Sequence, residues 1–310
     1  MNNIPDDAGN LFHFLFEENS TEEKEKGLID VIIRYSNSGR LAIRKYYDEV
    51  YAEKNLLDDI INSLSSNFGD LVLYLFMSPI EYDCLELYNA LNKITYHTDN
   101  IIEILTSRPK NYLNMLIPKY EEVYKQNLKQ EIENKYKGIV GKRLTSLFDI
   151  EREENKQSIN LNECKEIALK LAKLTCKEWI TDENIFNEIF AKKSPKELII
   201  IGRYYFKENN ITMPTAIEEF LEEDEKHLLR ELIYNVCRPA ELFCKKLKKA
   251  IQGLGTDTNT VNRICVTRNE LDTTLIRKFY KYLYGVDLQD DVIGDTSGAY
   301  QLLLCELFSK

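Results

Sequence analysis

Two short segments carry residue types that could do chemistry together, Gly253-Leu254-Gly255-Thr256-Asp257 and Gly294-Asp295-Thr296-Ser297-Gly298, with Asp295 lying 40 residues beyond Gly255. Glycines let a loop turn tightly and present its carbonyl oxygens outward. Calcium takes six to eight oxygens at about 2.3–2.6 Å, so three outward carbonyls and a bidentate carboxylate fill about five positions. Water or a lipid phosphate would complete the shell. By itself G-x-G-T is a weak signal, and its plain alternative is a Gly-rich turn leading into a helix. A phosphate cradle is a poorer reading, because the Walker pattern needs G-K-[ST] and the dinucleotide fingerprint a third glycine after a strand, and neither is present.

What the chain lacks narrows the remaining chemistry. Its three histidines, His13, His97 and His227, lie far apart, which removes the material for a His-ligated metal centre or a His-based triad. Seven scattered cysteines without a C-x-x-C pair imply neither a disulfide framework nor a zinc site, and read as small buried hydrophobes. No nucleophile, base or cofactor motif marks an enzyme. The net charge of −10 argues against a nucleic-acid partner. It also makes an anionic membrane repulsive unless a cation bridges the two. The start, MNNIPDDAGN, is no signal peptide, and nothing approaches 18 consecutive apolar residues, so a cytoplasmic protein is expected.

The elements that must position these residues read as helices. With 44% hydrophobic and 30% charged residues but only 12 Gly and 7 Pro in 310, the composition favours an all-α globular chain. Residues 240–308 echo 81–147, each holding a helix ending in A-I or A-L, a loop, a helix ending in VTR or TSR, an aromatic-rich helix and a closing helix. Weaker copies around Trp179 and Leu28 complete four degenerate repeats at about 9–79, 80–149, 163–237 and 238–310. The polar stretch 149–160 lacks an apolar stripe and predicts a linker, bounded at 150–162, between two halves of two repeats each. Leu271, Leu275, Phe279 and Leu283 recur on one helical stripe, widened by Ile276 and Tyr280, that needs burial against other helices. Thr256 and Thr181 each precede an apolar-periodic run and are expected to cap a helix, with Asp257, Asp182 and Glu183 favoured by the helix dipole.

The fourth repeat resembles an annexin repeat, whose calcium loop reads K-G-x-G-T-D and whose acidic ligand precedes T-S-G at the spacing seen here. Gln252-Gly253-Leu254-Gly255-Thr256-Asp257 and Asp295-Thr296-Ser297-Gly298 keep that order with only the lysine changed, to Gln252, and the match runs on through Val266-Thr267-Arg268. The resemblance implies an all-α annexin-like fold, four repeats of five helices in a curved disc. It also implies a calcium site made by the carbonyls of Ile251, Gly253 and Gly255 and the carboxylate of Asp295, with Leu254 touching lipid at the loop tip.

The other repeats depart from that pattern. The second agrees through Tyr82-Asp83-Cys84-Leu85-Glu86-Leu87 and Thr106-Ser107-Arg108, but its loop reads Lys93-Ile94-Thr95-Tyr96 and Lys135 stands at the acidic position. The first has Glu22 and Glu23 in its loop and Ser63 at the acidic position. In the third, Glu178-Trp179-Ile180-Thr181-Asp182-Glu183 resembles the family's K-W-G-T-D-E loop, and after an insertion around 207–216 Asp224 falls near the acidic position. Glu178 and Asp224 are therefore candidates for a weaker second calcium site, although Ile180 replaces a glycine that a β-branched residue cannot mimic at positive φ. Trp179, the only tryptophan, and Ile180 are expected on the exposed loop as membrane contacts. Asp83, Glu86, Arg108 and Arg268 match charged positions at the hydrophilic centre of annexins and read as a polar interface. The acidic run Glu218, Glu219, Glu222, Glu223, Asp224 and Glu225 reads as a solvated helix face. The expected function is calcium-dependent peripheral binding to anionic phospholipid at the inner face of membranes. The alternative is a calcium-independent scaffold with a cytoskeletal protein as partner, since the eroded loops are similar to those of divergent protist annexins, the alpha-giardins.

Overall fold

The computed structural model describes residues 3–16, 20–51, 54–93, 99–154, 156–253 and 255–309, and all regular structure among them is helical. Four sets of helices follow one another. The first spans Ile4–Phe16, Thr21–Arg34, Asn37–Val50, Leu56–Ser63 and Ser66–Leu75, and the second Pro79–Asn92, Asp99–Ser107, Lys110–Tyr124, Leu128–Lys135 and Ile139–Ser146. The fourth spans Pro239–Ile251, Thr258–Arg268, Thr273–Tyr284, Leu288–Asp295 and Gly298–Ser309. The third opens with Leu161–Ala172 and closes with Pro195–Asn209, Met213–Phe220 and Glu223–Cys237. Between them it has an extra short helix, Cys176–Thr181, where the fourth set has a loop, and a second helix, Glu183–Ile185, that widens into a π-helical turn over Phe186–Ala191.

Two backbone signals recur from set to set. The third helix ends on a left-handed residue at Lys125, Asn210 and Gly285, whose N–H returns to the last turn. The fifth helix begins at a positive φ in all four sets, at Ser66 (91°), Gly138 (78°), Glu223 (40°) and Gly298 (63°). Only glycine takes that region without a steric penalty, so Ser66 and Glu223 are strained. Ser66→Gly is expected to raise the unfolding free energy by about 1 kcal/mol, read as a higher urea midpoint at unchanged slope. A lower midpoint would mean that the serine side chain more than offsets its strain.

The helices divide into two compact units, residues 1–82 with 240–310, and residues 83–239. The first and fourth sets thus share one unit and the second and third the other, which corrects the expectation of consecutive halves joined by a linker. The polar stretch lies inside the second unit and is tied down at Arg152, Glu153 and Lys156. Glu153 N–H donates to the Lys192 carbonyl at 2.8 Å, and the Arg152 guanidinium donates to the carbonyls of Lys193 and Phe190, each at 2.8 Å. Lys156 bridges Glu153 and the buried Glu197, at 2.7 and 2.9 Å.

Burial by itself would push the Glu197 carboxyl up, but bonds from Lys156 and Ser194 and the charge of Lys193 hold it at about 2. Its folded pKa lies below its unfolded one, so the associated stability is full above about pH 4.5 and is lost as the pH falls towards 2. The contribution is on the order of 3 kcal/mol. Glu197→Gln is expected to flatten the acid limb of stability against pH, measured by urea unfolding below about pH 5.

In the first unit, Ile32, Tyr47 and Phe76 pack in one cluster with Phe243, Ile264 and Leu303. The helix Thr273–Tyr284 buries Thr273, Ile276 and Tyr280 there. The expected stripe is divided: Ile276 and Tyr280, which widen it, are buried and Phe279 packs partly against the cluster, whereas Leu271, Leu275 and Leu283 face solvent at 72%, 48% and 39% exposure. The buried side is anchored by Tyr280, whose ring is buried while its hydroxyl reaches Asp291.

Candidate functional site

The helix Pro239–Ile251 ends on the buried Ile251, and the chain emerges at Gln252 and Gly253, both exposed. Leu254 lies outside the described residues, and so does its expected lipid contact. Gly255 has φ +86°, a region from which a side chain is all but excluded. A Cβ added to Gly253 would come within 3.3 Å of the Gly255 carbonyl oxygen, so the loop curls that carbonyl back over Gly253. Asp257 N–H then returns to the Ala250 carbonyl at 2.9 Å, and the Asp257 carboxylate caps the next helix by accepting Thr260 N–H at 3.2 Å.

The cap is thus the aspartate and not the expected Thr256, which leaves the threonine for another task. Its Oγ1 lies 2.6 Å from Asp295 Oδ2 and 3.0 Å from the Asp295 carbonyl, bringing together the two segments singled out in the sequence. The same shift occurs in the third set, where Asp182 caps the following helix and the Thr181 hydroxyl donates to the Lys177 carbonyl.

The placement of Asp295 has a scaffold behind it. One turn earlier, Asp291 accepts Lys248 of the first helix at 2.6 Å and the Tyr280 hydroxyl of the third. Burial would raise the Asp291 carboxyl, but Lys248 and Tyr280 hold it below the usual range. The fourth helix is thereby fastened to the first, and its last residue, the half-buried Asp295, faces the loop and a cavity of about 370 Å³ shared with Thr296, Ser297 and Gly298. A carboxylate at a helix C-terminus meets the negative end of the dipole, an unfavourable place unless a cation answers it. Among the described residues no three His, Cys, Asp or Glu side chains converge on a metal position, so carbonyls must supply most of any ligand set. An all-oxygen set of outward carbonyls and one carboxylate suits calcium.

The other sets present different residues at the end of the fourth helix. Ser63 and Lys135 stand there as expected, whereas in the third set it is Phe220, 67% exposed, and not Asp224. Ile180 to Phe220 repeats the 40-residue spacing of Gly255 to Asp295, because a longer third helix is offset by a shorter second one. Asp224 is exposed in the first turn of the fifth helix.

Glu178 is committed to a capping box, accepting Thr175 N–H at 2.8 Å and the Thr175 hydroxyl at 2.9 Å, and those bonds lower its pKa. The carbonyls of Ile180 and Thr181 accept the Arg143 guanidinium at 2.8 and 2.9 Å, and Lys177 pairs with Glu225. Cationic side chains therefore stand where the second calcium site was expected, and that site is not assembled. Trp179 and Ile180 are both fully buried, against the expected membrane contact. Trp179 Nε1–H donates to the Leu171 carbonyl at 3.2 Å, and its ring lies against Phe190 and Tyr205. The segment coils into the helix Cys176–Thr181, whose apolar face carries both residues inward.

In the first set, Glu22 and Glu23 belong to the first turn of a helix, with Glu23 boxed to Ser20. The second-set loop beyond Lys93 lies outside the described residues. The remaining charged positions are satisfied within their own units. Asp83 receives Arg108 at 2.8 and 3.0 Å and the Tyr112 hydroxyl at 2.8 Å, Glu86 receives Asn100, and Arg268 pairs with Asp272 beneath the Phe243 ring. No helix among the described residues is long and apolar enough to cross a membrane.

A family model described as Annexin matches residues 82–147 and 242–307, nearly the two stretches that echo one another in the sequence. The chain is 32% identical to human (Homo sapiens) annexin A3 over 288 residues, 91% of this chain and 87% of that one. It is 29% identical to annexin B10 of Drosophila melanogaster over 291 residues, 94% of this chain and 90% of that one. The solved structure of annexin III superposes with a TM-score of 0.90 at 29% identity, covering 100% of this chain and 94% of that one. Calcium-bound alpha-14 giardin superposes at 0.80 with 15% identity over 99% of each chain, a likeness of fold alone.

Proposed function

Because the chain belongs to the annexin family, whose members bind acidic phospholipid with calcium and are generally not enzymes, we propose that it docks reversibly on anionic membranes through loop 252–257 and Asp295. The observation that carries this reading is the junction of Thr256 with Asp295 beside a glycine held at φ +86°. In it, the carbonyls of Ile251, Gly253 and Gly255 and the Asp295 carboxylate hold the ion, while Thr256 fixes the carboxylate and Leu254 supplies the apolar tip. Bound calcium supplies the positive charge that lets a chain of net −10 meet lipid phosphate. A single site forgoes the avidity of several, so a higher calcium demand is expected than for a relative with four working loops.

The test is co-sedimentation with phosphatidylserine vesicles, with calcium and with a chelator. Pelleting that needs calcium and reverses on chelation supports the reading. Pelleting without calcium, or with filaments in its absence, would sink it in favour of a scaffold with a cytoskeletal partner.

A further inference from the structure

A cavity of about 830 Å³ opens in the second unit against the helices Pro195–Asn209, Met213–Phe220 and Glu223–Cys237. Its wall is mostly apolar, and the charged residues that line it are all cations, Arg203, Lys207 and Arg238, in a chain of net −10. Two large apolar side chains on it face water, Leu161 at 53% and Phe206 at 48% exposure. Arg203 and Lys207 sit one turn apart on one helix, and Arg203 has no hydrogen bond or ion pair among the described residues. Burial pushes the Cys237 thiol up to about 11, so this part of the wall stays neutral. Gly202 leaves the groove open, since a Cβ there would only reach ordinary contact, 3.8 Å, with Met213 Sδ.

We propose that this cavity binds a long-chain carboxylate, a fatty acid, with its acyl chain along Leu161, Phe206 and Met213 and its head at Arg203 and Lys207. The volume lies within the range of about 300–1,000 Å³ typical of small-ligand pockets. An acidic peptide would carry backbone polar groups into a wall with little to pair them, at a cost of about 1–3 kcal/mol each. A neutral amphiphile would leave Arg203 without a counter-charge. An acyl carboxylate meets both conditions, chain to the apolar wall and charge to the rim.

The experiment is titration of the whole chain with cis-parinaric acid, a fluorescent fatty acid, below its micelle concentration in calcium-free buffer. Energy transfer from Trp179, the only tryptophan and in the same unit, reports binding. The expected result is one saturable site. Gly202→Leu fills the groove from a helical position and is expected to weaken binding at least about tenfold. Charge reversal by Arg203→Glu with Lys207→Glu is expected to weaken it by a similar factor. Oleate should displace the fluorescent acid at lower concentration than oleyl alcohol, and urea melts confirm that each variant is folded. A non-saturable signal, unchanged affinity in folded Gly202→Leu, or equal displacement by the alcohol and the acid would overturn the proposal. Asp295→Ala is expected to bind the fatty acid normally, which keeps this result separate from the calcium reading.

Discussion

Asp295→Ala is expected to abolish pelleting on phosphatidylserine vesicles at the calcium concentration that suffices for the native chain, while leaving the calcium-free fold within about 1 kcal/mol of it. The functional loss follows from the ligand chemistry. Asp295 is the carboxylate that Thr256 holds at the loop, and without it the proposed ligand set consists of neutral carbonyls. Calcium affinity scales with ligand charge over several decades, so a shift in calcium demand on the order of 100-fold is expected.

The small structural effect follows from two opposing contributions. The substitution removes the Thr256 bond to Oδ2, worth about 1 kcal/mol, and also removes a negative charge from a helix C-terminus, which relieves about 0.3–1 kcal/mol. Thr256→Val separates the two roles, since it keeps the charge and releases the carboxylate, and it is expected to raise the calcium requirement by about tenfold. Vesicle pelleting across a calcium series, with circular dichroism melts in chelator, measures both effects. Pelleting by Asp295→Ala at the native calcium concentration would mean that the ion is held elsewhere.

The helical class and the meeting of loop 252–257 with Asp295 were legible because their signals are local in sequence. Two glycines, a following Thr-Asp and an acidic helix end leave little freedom, and the recurring segments carried the register that puts Ser63 and Lys135 opposite Asp295. Where the reading went astray, a longer-range effect decided. Within the one wide stripe, Ile276 and Tyr280 turn inward and Leu271 and Leu275 outward, because the Tyr280 hydroxyl is anchored on Asp291 of the next helix. The pairing of the first set with the fourth depends on contacts across more than 150 residues, which no periodicity records. Phe220 was missed because the lengthening of one helix was counted without the shortening of another. The burial of Trp179 did have a local sign: Thr175 followed three residues later by Glu178 is a capping box, and it starts a helix where a loop was expected. The functional motif overlapping it masked that cue. Arg143, which takes the carbonyls of Ile180 and Thr181, stands 37 residues before Ile180 and nothing in the sequence links them.

That burial sets up the second large effect, in which Trp179→Ala destabilises the unit containing residues 83–239 by about 4 kcal/mol. The indole has no exposed surface, lies at 5.8 Å from Phe190 and 5.3 Å from Tyr205 between ring centroids, and donates to the Leu171 carbonyl. Truncation removes the largest side chain in that core and leaves a cavity, since the helix Cys176–Thr181 is held by Arg143 and by its own cap and cannot follow. Trp179→Phe retains most of the apolar area and loses the hydrogen bond, so a smaller cost of about 1–2 kcal/mol is expected. Because the substitutions remove the only indole, urea unfolding has to be followed by circular dichroism. A membrane-contacting tryptophan would behave in the opposite way, with unchanged unfolding and weaker vesicle binding for the alanine variant. The core position requires the reverse order of effects: both variants, kept at a temperature where they remain folded, should pellet at the native calcium concentration.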